Sequence, residues 1–387
     1  MRGTIKKAKP SKAKIKVKGL MDLPFLVLVL VILTLGLVML FSASHVYAYY
    51  NEGNSFHFIS RQLVFAVVGV IAMLVISRID YHILHKLILP LVIVTVILML
   101  VVLAMPEMNG ARRWIYIGPM SLQPSEIAKF AVIVLFAHLI SINQSRMKTF
   151  KVGVLPFMII LGITAGLMVL QPHLSGTILI MTIGLIMMFV GGTALKWFAV
   201  GGGIIAAALT YVVLFTDLIQ YAMTRLQGWF DPFSDPQGTT FQTLQSLYAI
   251  GSGGLMGYGL GNSRQKYLYV PEPQNDFVFS IVCEELGFIG ACTVIVLFAL
   301  LVWRGFVIAM RAPDKFGAML AVGLTVQVGL QAALNIAVVT NTIPNTGISM
   351  PFFSYGGTAL MMLLAQMGVI LSISRGSRVE KVGLTQT

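Results

Sequence analysis

The sequence predicts an all-α polytopic membrane protein of ten transmembrane helices, and three observations carry that expectation. Hydrophobic residues make up 57% of the 387 residues, and the mean hydropathy is +0.87. Only 11% are charged, where a soluble domain has about 25%, so most of the folded surface has to face lipid. Apolar runs of about 20 residues recur along the whole chain, each long enough to cross a hydrocarbon core of roughly 30 Å.

The ten expected spans are about 24–44, 62–79, 87–105, 125–142, 154–171, 175–191, 198–216, 277–303, 316–339 and 358–374. A basic tail (1–20) precedes them, a large loop (217–276) separates the seventh from the eighth, and a short tail (375–387) follows. If the N-terminal tail is cytoplasmic, 20 of the 27 basic residues lie in the tails and even-numbered connections. That asymmetry sets both termini inside and the 217–276 loop outside.

A net charge of +13 raises nucleic acid as a partner, but its distribution argues otherwise. Arg2, Lys6, Lys7, Lys9, Lys12, Lys14, Lys16 and Lys18 are interleaved with no aromatic residue that could stack a base. A basic stretch beside a span suits anionic lipid instead. The apolar run after it is of full span length with no small-residue cleavage site, unlike a cleavable signal. Cys283 and Cys292 sit in an apolar segment and read as buried small hydrophobes. The six histidines show no metal-ligand spacing.

The informative residues collect in the outer connections. Tyr47, Tyr49 and Tyr50 read as an interfacial aromatic belt. Residues 109–130, NGARRWIYIGPMSLQPSEIAKF, place Arg112 and Arg113 on the side the charge rule avoids. Glu126 and Lys129 then enter a span three residues apart on one helix face. They form either an internal ion pair or, with Arg113, the walls of an anion-holding cavity. Gln171, Pro172 and His173 break the chain between two spans, as a cavity-lining discontinuity does. Within the long loop, Phe241, Leu244, Leu247 and Tyr248 share one face of an amphipathic interfacial helix. The following GSGGLMGYGLG permits tight turns and close backbone approach to a ligand. It lacks the strand-then-helix context of a nucleotide-binding loop.

Gly261 to Gly287, GNSRQKYLYVPEPQNDFVFSIVCEELG, packs Arg264, Lys266, Glu272, Asp276, Glu284 and Glu285 where a polar loop meets a span. Ionisable groups at such a border point to function. Residues 341–360, NTIPNTGISMPFFSYGGTAL, carry Pro344, Gly347, Pro351, Gly356 and Gly357, which rule out a plain helix. The segment is expected to re-enter the bundle on the side of Asp276.

Four ordered motifs resemble the SEDS family, whose members are FtsW, RodA and SpoVE. They are NGARRW…GPMSLQPSEIAKF, FQTLQSLYAIGSGGL, SRQKYLYVPEPQNDFVFSIVCEELG, and IPNTG followed by PFFSYGGTA after Asn335. The resemblance covers nearly the whole chain, and the basic tail and SRQK…PEPQ wording look most like the division and sporulation branch. It implies the ten-helix SEDS fold and peptidoglycan glycosyltransferase activity, polymerising lipid II at the outer face of the bacterial cytoplasmic membrane. It also implies work beside a class B penicillin-binding protein, a transpeptidase, among other divisome membrane proteins. The family's essential aspartate falls on Asp276. Two departures stand out: QPHLSG puts His173 where the family commonly reads QPDLG, and Asn341 and Thr342 replace the usual Gly and Leu.

On this reading Asp276 is the general base for an acceptor sugar hydroxyl. Arg113, Lys129, Arg264 and Lys266 are the cations available to a leaving lipid diphosphate. Glu126 and Glu285 either ligate a divalent ion (Mg or Mn) or orient Lys129 and Arg264. Ser354, Gly356 and Gly357 complete the expected substrate-binding set, and no base stands beside Ser354 for covalent catalysis. Two readings compete: a lipid II flippase, and a non-catalytic divisome scaffold. The absence of paired halves and the clustering of charge outside the midplane favour the enzyme over a transporter.

Overall fold

The computed structural model describes residues 19–107, 112–118, 120–203, 228–236, 238 and 240–377. Among these are nine helices long and apolar enough to cross a membrane. In order, the helices are α1 (Leu23–Glu52), α2 (His57–Ile76), α3 (Ile83–Val101), α4 (Pro124–Ile142), α5 (Phe150–Gly153), α6 (Leu155–Val169) and α7 (Leu174–Gly191). After residues 204–227 come α8 (Phe241–Ser252), α9 (Val278–Met310), α10 (Lys315–Val339) and α11 (Gly357–Ser377). A hairpin, β1 (Ile115–Ile117) and β2 (Met120–Leu122), pairs antiparallel before α4. Most of the expected span at 198–216 lies outside the described residues, as do most of the two tails.

Small residues let the helices approach. A methyl group on Gly69 of α2 would stand 2.6 Å from a Leu364 methyl of α11, and one on Gly368 would stand 2.6 Å from the Met73 carbonyl. Such contacts supply packing where lipid offers no hydrophobic drive between helices. At the end of the bundle that carries residue 22, Asp22 caps α1 by accepting the Phe25 N–H at 3.1 Å. Its other carboxylate oxygen holds the Arg304 Nη2 of α9 at 2.7 Å.

Two expectations change. α8 exists, but Thr243, Leu244, Ser246 and Ala249 form its buried face, while Tyr248 is exposed. The Ser246 hydroxyl donates to the Val339 carbonyl at 2.9 Å, so α8 docks on the bundle through small residues, on a face the apolar spacing does not mark. At two of its positions the glycine run closely approaches backbone of its own chain. A Cβ on Gly253 would lie 2.0 Å from the Cys283 carbonyl oxygen, and one on Gly257 2.2 Å from that of Glu285. Opposite them, Gly287 breaks α9 with φ 65 and ψ −167. The amides freed there are used across the contact, Phe288 N–H donating to Gly254 at 2.9 Å.

Candidate active site

At the opposite end of the bundle from Asp22, a cleft of about 710 Å³ opens among α2, the hairpin, α4, α7 and the segments flanking α10. Asp276 stands in its wall, just ahead of α9. Asn335 of α10 donates one amide to the Asp276 carbonyl at 2.8 Å and to the Ile348 carbonyl at 2.6 Å. The Tyr355 N–H donates to Gln274 at 2.8 Å. Gln62 of α2 grips the re-entrant segment from the other side, donating to the Ser354 carbonyl and accepting the Gly356 N–H, both at 3.2 Å. The 341–356 segment therefore does sit beside Asp276. Gly347, at φ 66, passes so close that a Cβ there would stand 3.2 Å from Asp276 Oδ2.

Burial pushes the Asp276 carboxyl up from 3.8 to about 6. Glu272 adds to the rise, and the Arg113 guanidinium opposes it. A carboxyl titrating near neutrality can take up and release a proton under cellular conditions. Glu272 is itself held by Asn275 Nδ2 at 2.9 Å.

The cations lie in the same cleft. Lys129, 3% exposed on α4, contacts Glu126 Oε1 at 2.7 Å and donates to Gln331 Oε1 at 3.2 Å. Both sequence readings of the Glu126–Lys129 pair therefore hold: it is an ion pair, and it lines the cleft. Arg113 reaches across to donate to the Pro172 carbonyl, and its buried Nε has no partner among the described residues. His173 is buried in the cleft wall, where desolvation, then Arg113 and Lys129, lower its pKa to about 3.

Of the residues expected from sequence to act on or bind substrate, Asp276, Arg113, Glu126, Lys129 and Gly356 line the cleft. The others are placed elsewhere. Lys266 and Glu285 form a fully buried ion pair at 3.0 Å. Glu285 also accepts the Ser42 hydroxyl at 2.7 Å and the Gly261 N–H at 3.0 Å. Glu284 accepts the Arg264 N–H at 2.8 Å. These carboxylates fold the 261–266 loop onto α9 and α1, so Lys266 and Glu285 are engaged with each other outside the cleft lining. Arg264 points away, exposed, its guanidinium 5.1 Å from the Tyr258 ring centroid. Ser354 Oγ accepts the Met350 N–H at 2.7 Å and closes a turn. Gly357 makes room for the Phe65 ring. Arg264 and Lys266 are near Asp276 in sequence but lie outside the cleft lining, because the chain turns back between them. Conversely, Gln62 and Gln331 escaped selection and Asn335 was named only within a motif, although an amide inside an apolar span is itself a signal.

The family model for the FtsW/RodA/SpoVE cell cycle proteins matches residues 22–379. The chain belongs to the FtsW/RodA/SpoVE family. It is 42% identical over 361 residues to stage V sporulation protein E of Bacillus subtilis (strain 168), covering 92% of this chain and 98% of that one. It is 40% identical to the probable peptidoglycan glycosyltransferase FtsW of Trichlorobacter lovleyi, covering 92% and 93%. Among solved structures, it resembles a chain of a peptidoglycan synthase complex studied for the coordination of polymerization and crosslinking. There the TM-score is 0.76 at 26% identity, covering 93% and 99%. It also resembles the rod shape determining protein RodA of Thermus thermophilus, with a TM-score of 0.68 at 26% identity, covering 92% and 98%. This FtsW/RodA/SpoVE protein is accordingly a multi-pass membrane protein, and the cleft around Asp276 is its candidate active site.

Proposed function

We propose that the protein is a peptidoglycan glycosyltransferase that joins lipid II units into glycan strands at the outer face of the bacterial cytoplasmic membrane. The observation that carries this reading is Asp276, its backbone anchored by Asn335 and its carboxylate in a cleft shared with Arg113 and Lys129. The relatives named as glycosyltransferases support it.

Asp276 accepts the proton of the acceptor's C4 hydroxyl as its oxygen bonds to the donor's anomeric carbon. The bond from that carbon to the lipid diphosphate breaks, and the diphosphate leaves with the electron pair. General-base assistance is worth about 10² to 10⁴ in rate. Arg113 and Lys129 stabilise the departing charge, Lys129 from a buried position where a cation acts more strongly than in open water. A preformed divalent-metal site does not fit these residues. Among those described, no three His, Cys, Asp or Glu converge on one point. Glu126 is engaged by Lys129 and Glu285 is buried with Lys266. Mg²⁺ or Mn²⁺, if used, would be held mainly by substrate phosphates.

The excess of Lys and Arg in the tails and even connections supports cytoplasmic termini and an outward-facing cleft. Among partners, a class B penicillin-binding protein would crosslink the strands made here, alongside other divisome membrane proteins. The test is incubation of purified protein with labelled lipid II in vesicles, with and without its transpeptidase. Glycan strands are the expected product. Lipid II crossing the bilayer without strands would instead make the protein a flippase, and neither outcome would leave it a scaffold.

A further inference from the structure

α9 is longer than a membrane needs. Its 33 residues would reach about 50 Å if straight, against a hydrocarbon core of roughly 30 Å. Arg304, bonded to Asp22, marks a polar edge toward one end. About 20 helical residues cross the core, and the break at Gly287 falls within that distance of Arg304. Here α9 turns Phe288 and Ile289 outward, 63% and 51% exposed. Ile295 and Val296, seven positions on, are exposed as well, so one outward stripe runs down the span. The 253–258 turn packed against Gly287 therefore sits at the membrane boundary, beside the head of that stripe.

The turn brings apolar side chains of its own to this level. Leu255 and Met256 are 69% and 76% exposed, and Tyr258 and Leu260 are exposed beside them. Gly251 to Gly261 contains no charged residue. Irregular backbone tolerates lipid only where its polar groups are satisfied, and here α9 satisfies them. The Gly254 and Leu255 carbonyls accept the N–H groups of Phe288 and Ile289 at 2.9 and 3.2 Å. The N–H groups of Tyr258 and Gly259 donate to the Glu284 and Glu285 carbonyls at 3.0 and 2.9 Å, and that of Gly257 to Gly253 at 2.8 Å. Tyr258 carries the Arg264 guanidinium over its ring, a pairing of aromatic and cation suited to the headgroup level.

We infer that the 255–260 turn is a lipid anchor. Leu255, Met256 and Leu260 enter the acyl chains of the leaflet at the cleft end of the bundle, and Tyr258 rests among the headgroups. A phospholipid surface is the occupant, and not a protein, because the exposed side chains of the turn continue the outward stripe of α9 without a charged residue between. The bonds from the turn end on Glu284 and Glu285, in the short helical piece that follows Asp276. The anchor thereby fixes that piece against the membrane surface. It stands on geometry alone and is independent of the reaction that Asp276 serves.

The experiment is spin-label accessibility in the full-length protein, reconstituted alone in vesicles of phosphatidylcholine and phosphatidylglycerol. Met256→Cys is made with Cys283→Ala and Cys292→Ala and carries a nitroxide. Collision with oxygen, which concentrates in lipid, is compared with collision with a water-soluble nickel chelate. Ile295→Cys, on the outward stripe of α9, is the lipid reference. Gln144→Cys, exposed beyond the end of α4, is the aqueous one. The oxygen-to-nickel ratio at 256 is expected to match that at 295 and to stand well above that at 144. A ratio like that at 144 would put the turn in water, overturn the anchor and leave the patch to a protein partner. Leu255→Cys, at an equally outward position, repeats the measurement if the label at 256 lowers the thermal midpoint. Strand formation is not read, so a protein that polymerises nothing would sink the glycosyltransferase reading and leave this result unaffected.

Discussion

The side-chain amide of Asn335 donates to the Asp276 carbonyl at 2.8 Å and to the Ile348 carbonyl at 2.6 Å. One group on the buried face of α10 thereby ties the loop that carries Asp276 to the re-entrant segment that faces it. Asn335→Ala leaves both carbonyls without that donor. A displaced catalytic group costs on the order of 100-fold in rate, so polymerisation is expected to fall about that far. The lost bonds cost about 1–3 kcal/mol of stability. Rate and thermal midpoint measured on the same preparation separate the two effects.

The pH dependence follows from the Asp276 environment. Its pKa is raised to about 6, so the carboxylate needed as base is lost as pH falls through that value. kcat/KM is expected to level off above about pH 7 and to drop roughly ten-fold by pH 5. Arg113 opposes the rise, so Arg113→Gln should move the midpoint upward. A profile that stays flat down to pH 5 would place the base elsewhere.

Lys266 should matter to stability and not to substrate. Lys266→Met strands Glu285 in a fully buried position, and removing one partner of such a pair costs about 3–5 kcal/mol. A large fall in thermal midpoint with an unchanged KM in the folded fraction is expected. Arg264→Ala, at an exposed side chain, should leave both nearly untouched.

The glycine contact gives a purely steric prediction. Gly257 has φ 75, and a Cβ there would meet the Glu285 carbonyl oxygen at 2.2 Å. Gly257→Ala must spread the 253–259 turn from the Gly287 break, at a cost of about 1–3 kcal/mol. Gly251→Ala, with open space around it, is the control and should be neutral or slightly stabilising within its helix.

The spans were legible because each apolar run has to satisfy its own backbone as a helix in lipid. Asp276, Arg113, Glu126 and Lys129 were legible because charge beside a span is costly and has to be explained. Distant pairings were not legible. Lys266 is close to Asp276 in sequence, yet it folds under α1 to meet Ser42 and Glu285, and no local pattern shows that. The same holds for the glycine run, whose residues answer to the kink at Gly287 some 30 positions later. His173 was visible as a departure from QPDLG, but only the fold places it in the cleft wall with Arg113 and Lys129. Gln62 and Asn335 were readable as polar residues in apolar spans, though only the fold reveals which loop each one holds.

The central claim is that Asp276 is the base for glycan polymerisation. It is tested most directly by strand formation from labelled lipid II with wild-type protein and Asp276→Asn, each purified with its transpeptidase and shown to unfold at the same temperature. The structure predicts strands from wild type and a loss of at least about 100-fold in the variant. Equal rates from the two proteins would contradict it and remove Asp276 from the chemistry.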